Sequence, residues 1–196
     1  MIFAAIPVKK LTEAKSRLSV RLSSEQRASL VLTLLERTVE AVRGSGMVTR
    51  IALATPEPAL ADRLQTDLIS DPGSLNGALQ NATSWALRAS ATQLLILPGD
   101  LPLISPGAVE ALLRSAREAP SITITATRDG GTGALLLAPP NVVPPVFGER
   151  SFQHHLDLAR RKAVAVTTPS IDAFTRDLDT MEDLEAFGPL VWGLPT

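Results

Sequence analysis

Along this chain short apolar runs and amphipathic stretches take turns from the first residues onward, and few architectures accommodate that order. Ile2–Val8 is an apolar run with the length of a buried strand. Ser23 or Ser24 caps a helix predicted from Glu25 to about Arg43. In it Leu30, Leu34, Leu35, Val39 and Val42 recur at helical spacing, and Gly44 and Gly46 end it. Further strands are expected at Val48–Thr55, Asp67–Ser70, Gln93–Leu97, Ser121–Thr127, Ala134–Ala138 and Ala163–Thr167. Helices are expected at Pro58–Gln65, Leu75–Ala89, Pro106 to about Glu118, a Ser151-capped stretch to Lys162, and Met181–Phe187 with Thr180 and Asp183 as a capping pair. Asp71-Pro72-Gly73 is a turn signature. Helices between strands force parallel pairing, so the expected architecture is a three-layer α/β domain with a mostly parallel sheet. No repeat or linker divides the 196 residues, which read as one domain spanning 1–196.

Composition removes several function classes. Lys and Arg number 19 against 20 Asp and Glu, which lacks the basic excess of a non-specific nucleic-acid binder. Seven aromatics (five Phe, two Trp) leave little on which to stack bases. The absence of cysteine excludes disulfides, thiolate metal sites and cysteine nucleophiles. No apolar run reaches the ~18 residues of a membrane span, and no basic stretch precedes the first apolar run as in a signal peptide. A cytoplasmic protein without nucleic-acid or membrane partners is the expectation. The apolar tail Leu190, Val191, Trp192 and Leu194 leaves a homodimer open.

Ligands of such sheets bind in loops at the carboxyl ends of the strands. The loop after the first strand carries Lys9, Lys10, Lys15 and Arg17 and no glycine, so it is neither a P-loop nor a dinucleotide fingerprint. It is either a clamp for polyphosphate or a solvated basic loop. Asp100 ends a very apolar strand between Pro98 and Pro102, suited to a divalent metal or to a turn. Gly130-Gly131-Thr132-Gly133 either holds an anion or turns a hairpin. Gly148 precedes the Ser151 helix start, where anions are attracted. His154 and His155 are adjacent, and neighbouring helical residues point about 100° apart, so they are poorly placed to share a metal. Asp177 and Asp179 share a side if their segment is extended. With Asp100, one of them completes an Mg²⁺ site, or both compensate a helix N-terminus.

Taken in order, these segments resemble the 2-phospho-L-lactate/phosphoenolpyruvate guanylyltransferases of deazaflavin coenzyme F-420 biosynthesis. The resemblance rests on Ile6-Pro7-Val8-Lys9, Ala14-Lys15-Ser16-Arg17-Leu18, Leu75-Asn76-Gly77-Ala78-Leu79 and Pro98-Gly99-Asp100-Leu101-Pro102-Leu103. It continues in Gly130-Gly131-Thr132-Gly133 with Ala134–Leu137, in Phe147-Gly148, Ser151-Phe152 and His155, and in Asp177-Leu178-Asp179-Thr180. It implies a nucleotidyltransferase-type, Rossmann-like domain that joins GMP from GTP to the phosphate of a small phosphorylated carboxylic acid and releases pyrophosphate. By resemblance Lys9, Lys15 and Arg17 hold the GTP phosphates, with Lys15 and Arg17 catalytic, and Asn76 lies near the nucleoside. Asp100 and Asp179 bind Mg²⁺, with Asp177 a third ligand, and Thr132, Gly148 and Ser151 hold the acid. Gly133 departs from the bulkier polar residue expected there, Gly99 from Ala, and Met181 from Pro. The Ala- and Arg-rich, Lys-poor composition leans toward phosphoenolpyruvate as acceptor, with 2-phospho-L-lactate next and 3-phosphoglycerate also open. Other nucleotidyltransferases acting on a sugar phosphate or a molybdopterin, and a non-catalytic nucleotide-binding domain, are the alternatives.

Overall fold

A computed structural model describes residues 1–192, apart from the side chains of Pro189 and Trp192; the Trp192 side chain and Leu194 of the apolar tail lie outside the described residues. The strands are β1 (Ile2–Pro7), β2 (Val48–Thr55), β3 (Asp67–Ser70), β4 (Gln93–Ile96), β5 (Ser121–Ala126), β6 (Thr132–Ala138) and β7 (Ala165–Thr167). The helices are α1 (Ser24–Gly44), α2 (Pro58–Leu64), α3 (Leu75–Arg88), α4 (Pro106–Arg114), α5 (Ser151–Arg161) and α6 (Met181–Trp192). One sheet has the order β3-β2-β1-β4-β6-β5-β7, and β6 runs antiparallel to both its neighbours while the other pairs are parallel.

Alternate residues of each strand feed opposite faces. Phe3, Ala5, Leu94, Ile96, Leu135 and Leu137 pack under α3 and α5. Ala4, Leu95, Leu97, Ala134 and Leu136 face α1, α4 and Phe174, and Ile6 and Leu53 meet Leu35, Val39 and Leu60. This is the expected three-layer sandwich. A further cluster of Leu18, Leu22, Leu30, Leu34, Leu178 and Val191 ties the first loop, α1 and α6 together. Val191 of the apolar tail therefore packs on its own chain, while Leu190 is exposed.

Several boundaries differ from expectation. Ser23 caps α1 through a capping box with Gln26, and the helix continues through Gly44. α4 ends at Arg114, short of Glu118: the Ser115 hydroxyl donates to the Leu112 carbonyl, offering the last turn a local alternative. Ala163 adopts a left-handed conformation, so β7 starts only at Ala165. α6 extends past Phe187 to Trp192 because its apolar face continues onto α1. Ser151 does not cap α5. Arg150, left-handed at φ 54°, takes that position, and Ser151 is the first helical residue.

Candidate active site

The carboxyl ends of β1 and β4 lie side by side, and the β5–β6 turn lies at the same end of the sheet. The loop after β1 folds into two 3-10 turns, Leu11–Glu13 and Ser16–Val20, with Lys15 between them at φ 54°. Such a conformation is costly for a residue with a Cβ and persists only where its surroundings enforce it. Here Leu18 is buried in the α1–α6 cluster just beyond, and Lys15 is drawn inward, its side chain only 4% exposed.

Its ammonium donates to Asp100 and, at 2.6 Å, to Asp179. Burial lowers the Lys15 pKa, but the two carboxylates more than offset this and raise it above its ordinary value, so the residue stays charged. Asp177 joins them: carboxylate oxygens of Asp100, Asp177 and Asp179 lie within 4.8 Å of one another. The segment is not the extended run that its alternation suggested: the backbone bends at Leu178, whose side chain is buried in the α1–α6 cluster, and the carboxylates on either side still converge. The Leu178 N–H donates to the Asp100 carbonyl at 3.2 Å, which ties the two acidic segments together. Burial, reinforced by the charges of Asp100 and Asp179, pushes Asp177 up to about 6. Three converging carboxylates form the hard oxygen donor set that suits Mg²⁺, so these residues fit such an ion.

Asp183 orients this cluster. Its carboxylate accepts from the backbone N–H of Asp179 and of Thr180 and from the Thr180 hydroxyl, and Arg176 donates to it at 2.6 Å. The Thr180–Asp183 capping pair therefore also sets the direction of Asp179.

Lys9 and Arg17 are exposed on the same loop. Arg17 lies within electrostatic reach of Asp129 at the β5–β6 turn: the Thr127 hydroxyl chiefly, with a contribution from Arg17, holds Asp129 below its ordinary value. Gly130 and Gly131 do turn an antiparallel hairpin, and Thr132 starts β6. At Gly133 a Cβ would meet the Phe174 carbonyl oxygen at 1.8 Å. The bulkier residue expected there cannot be accommodated beside this backbone.

Thr132 and Ser151 meet at 2.9 Å between their hydroxyl oxygens. Both are buried, whereas Gly148, Glu149 and Arg150 beside them are exposed, Gly148 with φ +124°. The side-chain carbonyl of the exposed Asn76 accepts from the Phe147 N–H at 3.0 Å and so clasps the Gly148 loop to α3. His154 is exposed, but His155 is fully buried beside Thr132. Sequence reasoning left His155 without a role, and its spacing of four from Ser151, one helical turn, was the available signal.

The carboxylate–lysine centre and the Thr132–Gly148–Ser151 corner are thus separate groups at one end of the sheet, with the Arg17-bearing loop reaching toward the hairpin that bears Thr132. The sequence family described as guanylyl transferase CofC like matches residues 2–188. A protein named phosphoenolpyruvate guanylyltransferase from Rubrobacter xylanophilus is 42% identical over 188 residues, covering 93% of this chain and 91% of that protein. A 3-phospho-D-glycerate guanylyltransferase from Colwellia psychrerythraea is 29% identical, covering 92% and 88%. Among solved structures, a nucleotide-diphospho-sugar transferase from Desulfovibrio desulfuricans superposes with a TM-score of 0.79 at 17% identity, covering 94% of this chain and 85% of that one. At that identity the likeness speaks for the fold, which is of nucleotidyltransferase type.

Proposed function

Since the chain belongs to the CofC-like guanylyl transferase family, we propose that it transfers GMP from GTP to the phosphate of a small phosphorylated carboxylic acid, phosphoenolpyruvate first, and releases pyrophosphate. The reading extends to deazaflavin coenzyme F-420 biosynthesis as the pathway and to the cytoplasm as the compartment. The observation that carries it is a buried, charged lysine bridging two of three convergent carboxylates at the carboxyl ends of the central strands.

The acceptor's attacking phosphate oxygen is already anionic at neutral pH. Its bond to the α-phosphorus forms as the bond to pyrophosphate breaks, and pyrophosphate leaves with the electron pair. No strong general base is required, and the displacement is direct, without a covalent intermediate. The obstacle is the approach of two anions. Lys15 supplies a fixed positive charge beside the carboxylates, and Lys9 and Arg17 supply flexible ones at the rim. Asp100, Asp177 and Asp179 would hold Mg²⁺, which when bound neutralises phosphate charge. Thr132, Ser151 and the exposed backbone at Gly148 would receive the acid.

The test is pyrophosphate release from GTP and Mg²⁺ with phosphoenolpyruvate, 2-phospho-L-lactate or 3-phosphoglycerate. ATP, CTP and UTP serve as controls and Asp100→Ala as the blank. Release with GTP and one acid, abolished in the variant, is expected. No release with any acid would overturn the assignment.

A further inference from the structure

The transfer chemistry above makes no use of His155, yet this ring lies at the junction of the parts assigned to the acid. It is fully buried, and both its nitrogens have partners. The Val146 N–H donates to Nε2 at 3.0 Å. A nitrogen that accepts carries no proton, so the proton of the neutral ring is on Nδ1. Nδ1 lies 3.3 Å from the Thr132 hydroxyl oxygen and donates to it. Thr132 then has its own hydrogen to give to Ser151, 2.9 Å away, and Ser151 keeps a hydrogen to direct elsewhere. Protonating the second nitrogen would set one N–H against another at Val146, and burial already pulls the ring's pKa down to about 4.

The same ring anchors the backbone. Val146 and Phe147 are held by successive amides, the first on His155 and the second on the exposed Asn76. The Phe147 ring stands edge-on to His155 with centroids 5.8 Å apart. Gly148 follows directly, so the height of its exposed backbone depends on these two anchors.

We propose that His155 is a positioning residue for the acceptor acid: the imidazole, with its proton on Nδ1, holds the Val146–Gly148 backbone in place and orients the Thr132–Ser151 hydroxyls toward the substrate. This rests on the reading that Thr132, Gly148 and Ser151 receive the acid. Removing the ring disturbs acid binding while leaving the nucleotide side, built on Lys15 and the carboxylates, untouched.

Two variants separate the arms. In His155→Asn a side-chain amide near the Nδ1 position keeps a donor for Thr132. In His155→Gln an oxygen near the Nε2 position keeps an acceptor for Val146. His155→Leu keeps neither. Steady-state pyrophosphate release would be measured with GTP and acid each varied, at a temperature well below each variant's unfolding midpoint. The acceptor KM should rise about tenfold in the Asn and Gln variants, the scale of one lost hydrogen bond, and by roughly a hundredfold in the Leu variant. The KM for GTP should stay within about twofold of wild type. If His155→Leu does not fold, the Asn and Gln variants carry the test. Acceptor KM values equal to wild type, or a parallel rise for GTP, would overturn the role. Wild-type protein inactive with all three acids would instead overturn the functional reading, and this role with it.

Discussion

Replacing Gly133 by alanine tests how closely the β5–β6 hairpin and the segment leading to the acidic cluster are fitted. A Cβ at Gly133 would lie 1.8 Å from the Phe174 carbonyl oxygen, 2.8 Å from the carbonyl carbon and 3.2 Å from the Phe174 Cβ, where ordinary contact begins at 3.4 Å. The obstacle is backbone, which cannot rotate away as a side-chain tip can. Phe174 is itself fully buried against α4 and the sheet, and the carbonyl of Thr175 accepts from the Arg128 N–H at 3.0 Å. The 172–175 turn must therefore shift by roughly 1.5 Å, and overpacking of this kind costs about 2–3 kcal/mol. For a chain of this size that lowers Tm by about 5–10 °C. Asp177 lies three residues beyond Phe174, so kcat/KM should fall by roughly a hundredfold, the effect of an ångström-scale misplacement. Thermal unfolding followed by circular dichroism, together with pyrophosphate release, reads both effects. Gly107→Ala is the control: nothing lies within 4 Å of that site on α4, so it should leave Tm unchanged or slightly raised. A Gly133→Ala protein with wild-type Tm and turnover would refute the close approach and the coupling to Asp177.

Further outcomes follow from other contacts. Asp183→Ala removes the acceptor shared by Asp179, Thr180 and Arg176. It should lower stability by about 1–2 kcal/mol and raise the Mg²⁺ concentration needed for half-maximal turnover; an unchanged Mg²⁺ titration would count against Asp183 as the orienting group. Under the proposed function, Lys15→Met should reduce kcat/KM by at least about a hundredfold, measured by pyrophosphate release, because a fixed buried charge is lost beside Asp100 and Asp179. The folded protein holds His155 near 4 against an ordinary 6.5, so between those values the unfolded chain binds a proton that the folded chain refuses. Stability should therefore rise with pH across that window, by about 3 kcal/mol in total from this residue, and be fully present above it. Urea unfolding at pH 4.5 and 7 should show a smaller difference for His155→Asn than for wild type.

The layer architecture was legible because its causes are local. Periodicity two or a continuous apolar run marks a strand, periodicity 3.6 marks a helix, and alternation of the two compels parallel pairing. The strand boundaries at β2 and β3 and the start of α4 at Ser105-Pro106 follow from such signals. The antiparallel β6 was legible only as one of two readings of the Gly130–Gly133 turn. Element ends set by a single left-handed residue, such as Ala163 before β7 or Arg150 before α5, carry no compositional mark. Nor does Ser151, a good cap by type, reveal that its hydroxyl is taken by Thr132 on another element.

The chain's own order of residues determined which chemical groups lie at the carboxyl ends of the strands: lysines and arginine after β1, a carboxylate after β4, alternating carboxylates before α6. The spacing of two suggested that Asp177 and Asp179 share a side; they do converge, but around a bend at Leu178 rather than along an extended strand. What the folded molecule alone decided is which of these groups meet. Lys15 is drawn onto Asp100 and Asp179 across separations of 85 and 164 residues, while Lys9 and Arg17 of the same loop stay exposed. Gly133 is required by the carbonyl of a residue forty-one positions away. His155 acquires its partners from the β6 start and the loop before α5. Those choices belong to long-range packing, where burial forces every charge and hydrogen-bonding group to find a partner, and no local pattern records which partner it finds.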